Sequence, residues 1–416
     1  MGLSFGCFLS LRVHFHYLCR NKMSPNEVFD NKYFRHNRTL LKQVALWPYA
    51  STSSKVVKRI FIIVCFYSMS LPQAIRGIEE IVSVNVNQEI VIENLTGFLY
   101  FHAVIAKVIT QIVTEKRLKY LYEEISNDWK IITDKREKAV LEKSAAVGRN
   151  LTLAYTGFVV ISAILFISIN AFVPVLLNYI LPGNTTYQKQ LCIYAEYFVD
   201  QEKYFYYIFT HTMIIGVMTV YVATTIDCVF VCCVQHVVGL FNIIKYRLRE
   251  ISRIYDTAVN ESIIDLHFDA KKYLINVVEI HKKTLDLAEL IQNTYNECFF
   301  LLTILIVAGL ATFTYVLAEN VHNPLNFMRI WCLWFGAIVY MFFVNLPGQK
   351  LLNISEELFL ALYNSSWHKF PMKTRFIIQV MMIRCLSPCR LTAGPLIEIN
   401  FQSCSNVNVS SIKYLL

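Results

Sequence analysis

The stretch Tyr204–Leu240, YFYYIFTHTMIIGVMTVYVATTIDCVFVCCVQHVVGL, decides the fold. Between Tyr204 and Val234 its one strong acid or base is Asp227. At a helical rise of about 1.5 Å per residue, such a run makes a rod of roughly 45 Å, longer than the ~30 Å hydrocarbon layer of a bilayer. Its flanks differ in sign. Glu196, Asp200 and Glu202, with Tyr197, precede it; Lys245, Arg247, Arg249 and Arg253 follow. Lys and Arg are retained on the cytoplasmic side, so this segment runs from outside to inside, and the other spans are oriented by counting from it.

Composition agrees with a membrane protein. The 416 residues are 55% hydrophobic and 17% charged, with a mean hydropathy of +0.43, too apolar for a soluble domain. The net charge of +9 sits next to apolar spans rather than on a polar face, which reads as a topology signal and not as a nucleic-acid footprint. The twelve cysteines are scattered and only Cys192 falls in a clearly external loop, so no disulfide framework is implied.

Upstream of the central stretch, spans are expected at Val56–Ile75, Val91–Val113 and Leu151–Ile180. An acidic loop (Glu79, Glu80, Glu89, Glu93) separates the first two, and a charged, helically spaced stretch, Thr114–Asn150, separates the second from the third. Leu181-Pro182-Gly183 stops the third, and the sequon Asn184-Thr185-Thr186 follows where glycosylation is topologically possible. Downstream, Lys245–Glu289 reads as amphipathic helix below the membrane, followed by spans at Ile291–Leu317 and Leu325–Leu346, the latter broken by Pro347-Gly348. Residues 347–390 are polar and basic, and Leu391–Leu416 forms a seventh, moderately apolar helix. The expected fold is all-α: residues 1–55 cytoplasmic and without a cleaved signal, 56–346 carrying six membrane helices with cytoplasmic extensions, 347–390 an anchor helix and loop, and 391–416 the last helix. This topology leaves 34 of the 39 Lys and Arg residues inside, with Arg76, Lys189, Lys203, Arg329 and Lys413 outside. The reverse orientation inverts that ratio and is rejected.

Several stretches carry a family resemblance. Glu196-Tyr197-Phe198-Val199-Asp200-Gln201-Glu202-Lys203-Tyr204-Phe205-Tyr206 resembles the loop leading into the fourth helix of insect odorant receptors. Gly239-Leu240-Phe241 with Tyr246-Arg247-Leu248, Gly348-Gln349, Tyr363-Asn364-Ser365-Ser366-Trp367 with Pro371, and Pro388-Cys389-Arg390-Leu391-Thr392-Ala393-Gly394 follow in order. The likeness covers the chain from about Met23 onward, and the ordered set carries it rather than any single motif. It implies a tetramer formed with a shared co-receptor subunit, a ligand-gated non-selective cation channel in the dendritic plasma membrane of olfactory neurons, no cofactor and no enzymatic activity. It also implies a central pore lined by the last helix, a volatile-ligand pocket enclosed by helices two, three, four and six, and a cytoplasmic inter-subunit anchor. A polar final helix suits a pore, since polar side chains facing hydrocarbon are costly. The family pattern continues past Tyr414, where this sequence has only Leu415 and Leu416, and it has a small residue where Ile412-Lys413 stands. The chain is therefore expected to end short of the hydrophobic gate. Helical spacing then puts Asn406, Ser410 and Lys413 on the pore face.

Pockets for small volatiles are mostly apolar with one or two orienting polar groups. The outer-half candidates are Phe98 and Phe101 on the second span, Phe166, Asn170 and Val173 on the third, Tyr207, His211 and Ile215 on the fourth, and Trp331 and Phe335 on the sixth. Asn170 or His211 is the expected orienting group, though each also reads as an ordinary packing residue, His211 above all as an interhelical hydrogen-bonder. Asp227 is expected to have a partner, because an unpaired acid inside a membrane helix is expensive. Cys385 and Cys389 resemble half a metal site that nothing nearby completes. No phosphate loop, His-Glu-x-x-His or nucleophile elbow is present. A G-protein-coupled receptor is the alternative in kind, but it needs an external N-terminus and motifs this chain lacks. A gustatory receptor is the nearer alternative, yet its Thr-Tyr-x5-Gln-Phe is replaced by Phe401-Gln402 in the reverse order.

Overall fold

The structure, a computed structural model, describes residues 25–84, 86–180, 191, 193–257, 263–395 and 397–406. The Asn184 sequon and the Ser410 and Lys413 positions lie outside the described residues. Helices dominate: α1 (Pro25–Phe29), α2 (Arg35–Gln43), α3 (Thr52–Val82), α4 (Gln88–Val113), α5 (Glu115–Ile131) and α6 (Lys135–Ile167). A π turn (Ser168–Phe172) links α6 to α7 (Val173–Ile180), after which come α8 (Phe205–Thr257), α9 (Ile263–Glu319), α10 (Pro324–Tyr363) and α11 (Met372–Cys385). A two-residue hairpin, β1 (Thr392–Ala393) against β2 (Ile397–Glu398), precedes a helical stretch at residues 401–406. Among the described residues, six helices are long and apolar enough to cross a membrane.

Local chemistry sets the helix starts. Asn87 Oδ1 accepts from the amides of Glu89 and Ile90 to begin α4, and Asp134 accepts from Arg136 N at 2.7 Å to begin α6. Asn323 caps α10 with Pro324 behind it, where the missing N–H costs nothing. The most apolar window of α8 is 78% buried, against 17–39% in the other five spans, so α8 is the axis on which the bundle packs.

Beyond the apolar spans, at the end rich in Lys and Arg, α5, the start of α6, the lower parts of α8, α9 and α10, and α11 form a helical base. The N-terminal region docks there through rings: Phe29 and Trp47 against Tyr122, and Phe34 edge-on to Trp129. Charges tie the helices together. Arg247 grips Glu137 with two bonds of 2.7 and 2.8 Å, and Lys283 bridges Glu124 and Asp128, which also bonds His236. Glu115 at the root of α5 takes Lys55 and Arg59 from α3. Burial opposes its ionisation, but those two cations outweigh burial and hold its pKa below the usual carboxylate value.

Four expectations are corrected. Pro347-Gly348 does not break the sixth span; α10 runs unbroken to Tyr363, as membrane helices tolerate proline when neighbours satisfy the freed carbonyl. The acidic loop is helix: Glu79 and Glu80 belong to α3, Glu89 and Glu93 to α4, and α3 continues through Pro72, whose carbonyl accepts from Glu196 N at 2.9 Å. Lys107 and Arg329, counted by sign of side, are instead buried inside helices and paired. The last helix does not start at 391, because Gly394 at φ +65° and Pro395 turn the chain into the hairpin and helical geometry resumes only at 401.

Candidate ligand chamber and its link to the C-terminal segment

The half of the bundle remote from the Lys- and Arg-rich base brings part of the expected set together. Phe101 on α4 is buried and meets Phe66 of α3 edge to face, with centroids 6.5 Å apart. One turn outward, Phe98 lies half-buried against the ring of His102 at 4.1 Å. On α10, Trp331 and Phe335 stack in parallel at 5.2 Å, and Phe335 reaches across to Phe158 of α6 at 6.1 Å. Ile215 is buried in the core on α8. Phe166 and Val173 flank the π turn half-buried, and Asn170, within that turn, is 1% exposed. The Asn170 amide nitrogen donates to Phe166 O at 2.7 Å, while its Oδ1 is buried without a partner.

His211 is held at both ring nitrogens. Ser68 donates to Cys65 O, leaving its oxygen to accept from Nε2–H at 3.2 Å, and the Tyr197 hydroxyl donates to Nδ1 at 2.8 Å. This relay joins α3, α8 and the segment leading into α8. His211→Ala, which removes the link between Ser68 and Tyr197, is expected to shift half-maximal ligand dose by about tenfold while surface delivery is kept. Dose–response curves at matched surface protein check it, and superimposable curves would remove His211 from the chamber. Tyr207 is 77% exposed beside Tyr204 and is not brought to the others. Asn406 is exposed in the 401–406 helix.

The profile of the 7tm Odorant receptor family matches residues 87–410, spanning α4 to the C-terminal helical stretch. The chain belongs to that family. Odorant receptor 9a of Drosophila melanogaster is 21% identical over 305 residues, 70% of each protein. Among solved structures, the insect olfactory receptor OR5 from Machilis hrabei in complex with eugenol superposes with a TM-score of 0.73 at 13% identity, covering 92% of this chain and 96% of that one. A second structure of the same receptor gives 0.71 at 14% identity over 94% and 98%. At such identities the likeness is one of fold. A member of this family is a receptor and not an enzyme, and its multiple apolar helices make it a multi-pass membrane protein.

Two features of this odorant receptor escaped the sequence reading. Deeper than the chamber, Lys107 of α4 donates to both Asp227 oxygens on α8 (2.7 and 2.8 Å) and to the Tyr340 hydroxyl of α10 (2.9 Å), all three inside the bundle. At the end of the bundle remote from the base, buried Arg329 meets Glu93 at 2.6 Å with its guanidinium over the ring of Tyr194. Each pair contains one base lying inside an apolar run, which is the signal that locates them.

Tyr340 also borders a cavity of about 30 Å³ between α9, α10 and the hairpin, with Phe299, Thr303, Met341, Ile399 and Cys404 around it. The family-like residues on this side fasten the hairpin. Gln292 clasps Thr392 through its amide and hydroxyl, Ser355 Oγ accepts from Cys389 N, and Gln349 Oε1 accepts from Phe401 N at the start of the terminal helix. At Gly348 an added Cβ would lie 2.0 Å from Ile399 O, and at Gly394 2.4 Å from the Phe300 ring. The Cys385 thiol, in the base, is pushed up to about 11 by burial and is protonated at neutral pH.

Proposed function

We propose that this chain is the odorant-binding subunit of a ligand-gated, non-selective cation channel that it forms with a shared co-receptor in the plasma membrane of olfactory neuron dendrites. The family match over residues 87–410 carries the reading. The eugenol complex of the Machilis hrabei receptor supports a small organic ligand, received here by the aromatic set of α4, α6 and α10 with Asn170 and His211 as the polar groups. Assembly is supported by α11, which is apolar on two faces. One packs inward through Ile378 and Met381, while Met372, Phe376, Ile383 and Leu386 stand exposed where no lipid would cover them. In this reading the N-terminus and the base are cytoplasmic, Asn184 is the external glycosylation site, and Asn406, Ser410 and Lys413 face the pore.

Co-expression with a co-receptor subunit and current recording across a panel of volatiles tests it. Currents are expected only when both subunits are present, reversing near zero millivolts as a non-selective cation pathway requires. Responses that depend on G proteins, or labelling of an N-terminal tag on intact cells, would refute it.

A further inference from the structure

We propose that Asn170 makes this receptor selective for volatiles that carry a hydroxyl group, alcohols and phenols, over ethers and esters of the same shape. The inference rests on the odorant-binding reading above and names the ligand chemistry of that site.

Asn170 sits in the middle of the π turn, a widened stretch of helix that recurs at functional sites. Its amide orientation is fixed. Nδ2 donates to Phe166 O at 2.7 Å, and flipping the group would set two carbonyl oxygens against each other. What remains is an acceptor, Oδ1, sealed from solvent and unpartnered. An unmet amide oxygen in a hydrocarbon setting is costly, so a partner that donates a hydrogen bond gains more there than it would in water. No donor among the described residues reaches it. The π turn packs on α10, the helix that carries the stacked rings of Trp331 and Phe335. His211 is spent on Tyr197 and Ser68. Among the described residues, the other unpartnered carboxamide oxygen in this half is Gln73 Oε1, and its amide lies on the α3–α4 seam against Asn94 O. An apolar site whose one unmet polar group is an acceptor favours a donor-bearing ligand over its capped analogue.

The test uses the full-length chain with its co-receptor and straight-chain alkanols and alkyl phenols, each paired with its methyl ether and acetate. The hydroxyl compound is expected to have a half-maximal dose at least about tenfold lower than its capped partners. Asn170→Leu is expected to erase that ratio by weakening the alcohol response alone, and Gln73→Leu to preserve it. Equal potency within the wild-type pairs overturns the proposal, and that comparison needs no variant to fold. Retention of the preference in Asn170→Leu overturns it as well. Silence toward every volatile tested, with both subunits at the surface, overturns instead the odorant-binding reading and this inference with it.

Discussion

Lys107→Met is expected to remove most folded receptor from the cell surface, and the double variant Lys107→Met, Asp227→Leu to restore much of it. The single change leaves the Asp227 carboxylate 1% exposed, within the bundle, with its cation gone. Stranding one member of a buried pair costs about 3–5 kcal/mol, a large share of the stability of any one domain. Replacing both members by apolar side chains of similar volume is often neutral or stabilising, because the desolvation of two charges disappears along with their attraction. Tyr340 limits the recovery, since its hydroxyl oxygen loses the Lys107 donor. Asp227→Leu alone should behave like Lys107→Met, for it strands the ammonium instead. Surface biotinylation and the melting temperature of detergent-purified protein measure all three. A Lys107→Met receptor as abundant and as heat-stable as the parent would show that the charge cluster does not hold the bundle.

Gly348→Ala is the second change of large expected effect, and it acts by volume alone. The added methyl would lie 2.0 Å from Ile399 O and 3.1 Å from Ile399 C, both backbone atoms that no side-chain rotation relieves. The hairpin must move off α10, and the bond that ties it there, Phe401 N to Gln349 Oε1 at 3.0 Å, is then lost. Overpacking costs about 1–3 kcal/mol where side chains can adjust, so the cost here belongs at the top of that range or above. Limited trypsin digestion reads the result at Arg390, just before the hairpin, where cleavage is expected to accelerate at least tenfold. Gly216→Ala and Gly336→Ala, whose new methyls meet nothing within 4 Å, serve as controls and should digest like the parent. Equal digestion of Gly348→Ala and these controls would disprove the close approach.

Reading Tyr204–Leu240 as the axis succeeded because that segment combines unbroken apolarity with oppositely charged ends, and a helix so buried has no face to spare for charge. Asp227 was visibly in need of a partner, but Lys107 lies 120 positions earlier and no spacing rule links them. Basic residues next to a span look alike in sequence whether they meet water or a buried acid, so Lys107 and Arg329 were misassigned as markers of side. Pro347-Gly348 reads as a stop because local propensity opposes helix there, whereas packing against Ile399 needs the glycine within the helix. The hairpin at 392–398 was invisible for a similar reason: two residue pairs are too short to show an alternating pattern. Rings such as Phe335 and Phe101 were legible as inward candidates, yet the selection of Phe158 and Phe66 as their neighbours is set by how α3, α6 and α10 are rotated, which single-chain periodicity does not encode.

The unbroken course of α8 has a geometric corollary. Fifty-three residues of one helix fix the azimuth of every side chain along it relative to every other, so His211, Asp227 and His236 are spokes on one shaft. Adding or deleting a single residue between them would swing everything beyond by about 100° and carry Asp227 away from Lys107. A change of length is therefore expected to be tolerated only past the two ends of the shaft, whereas its interior accommodates substitutions.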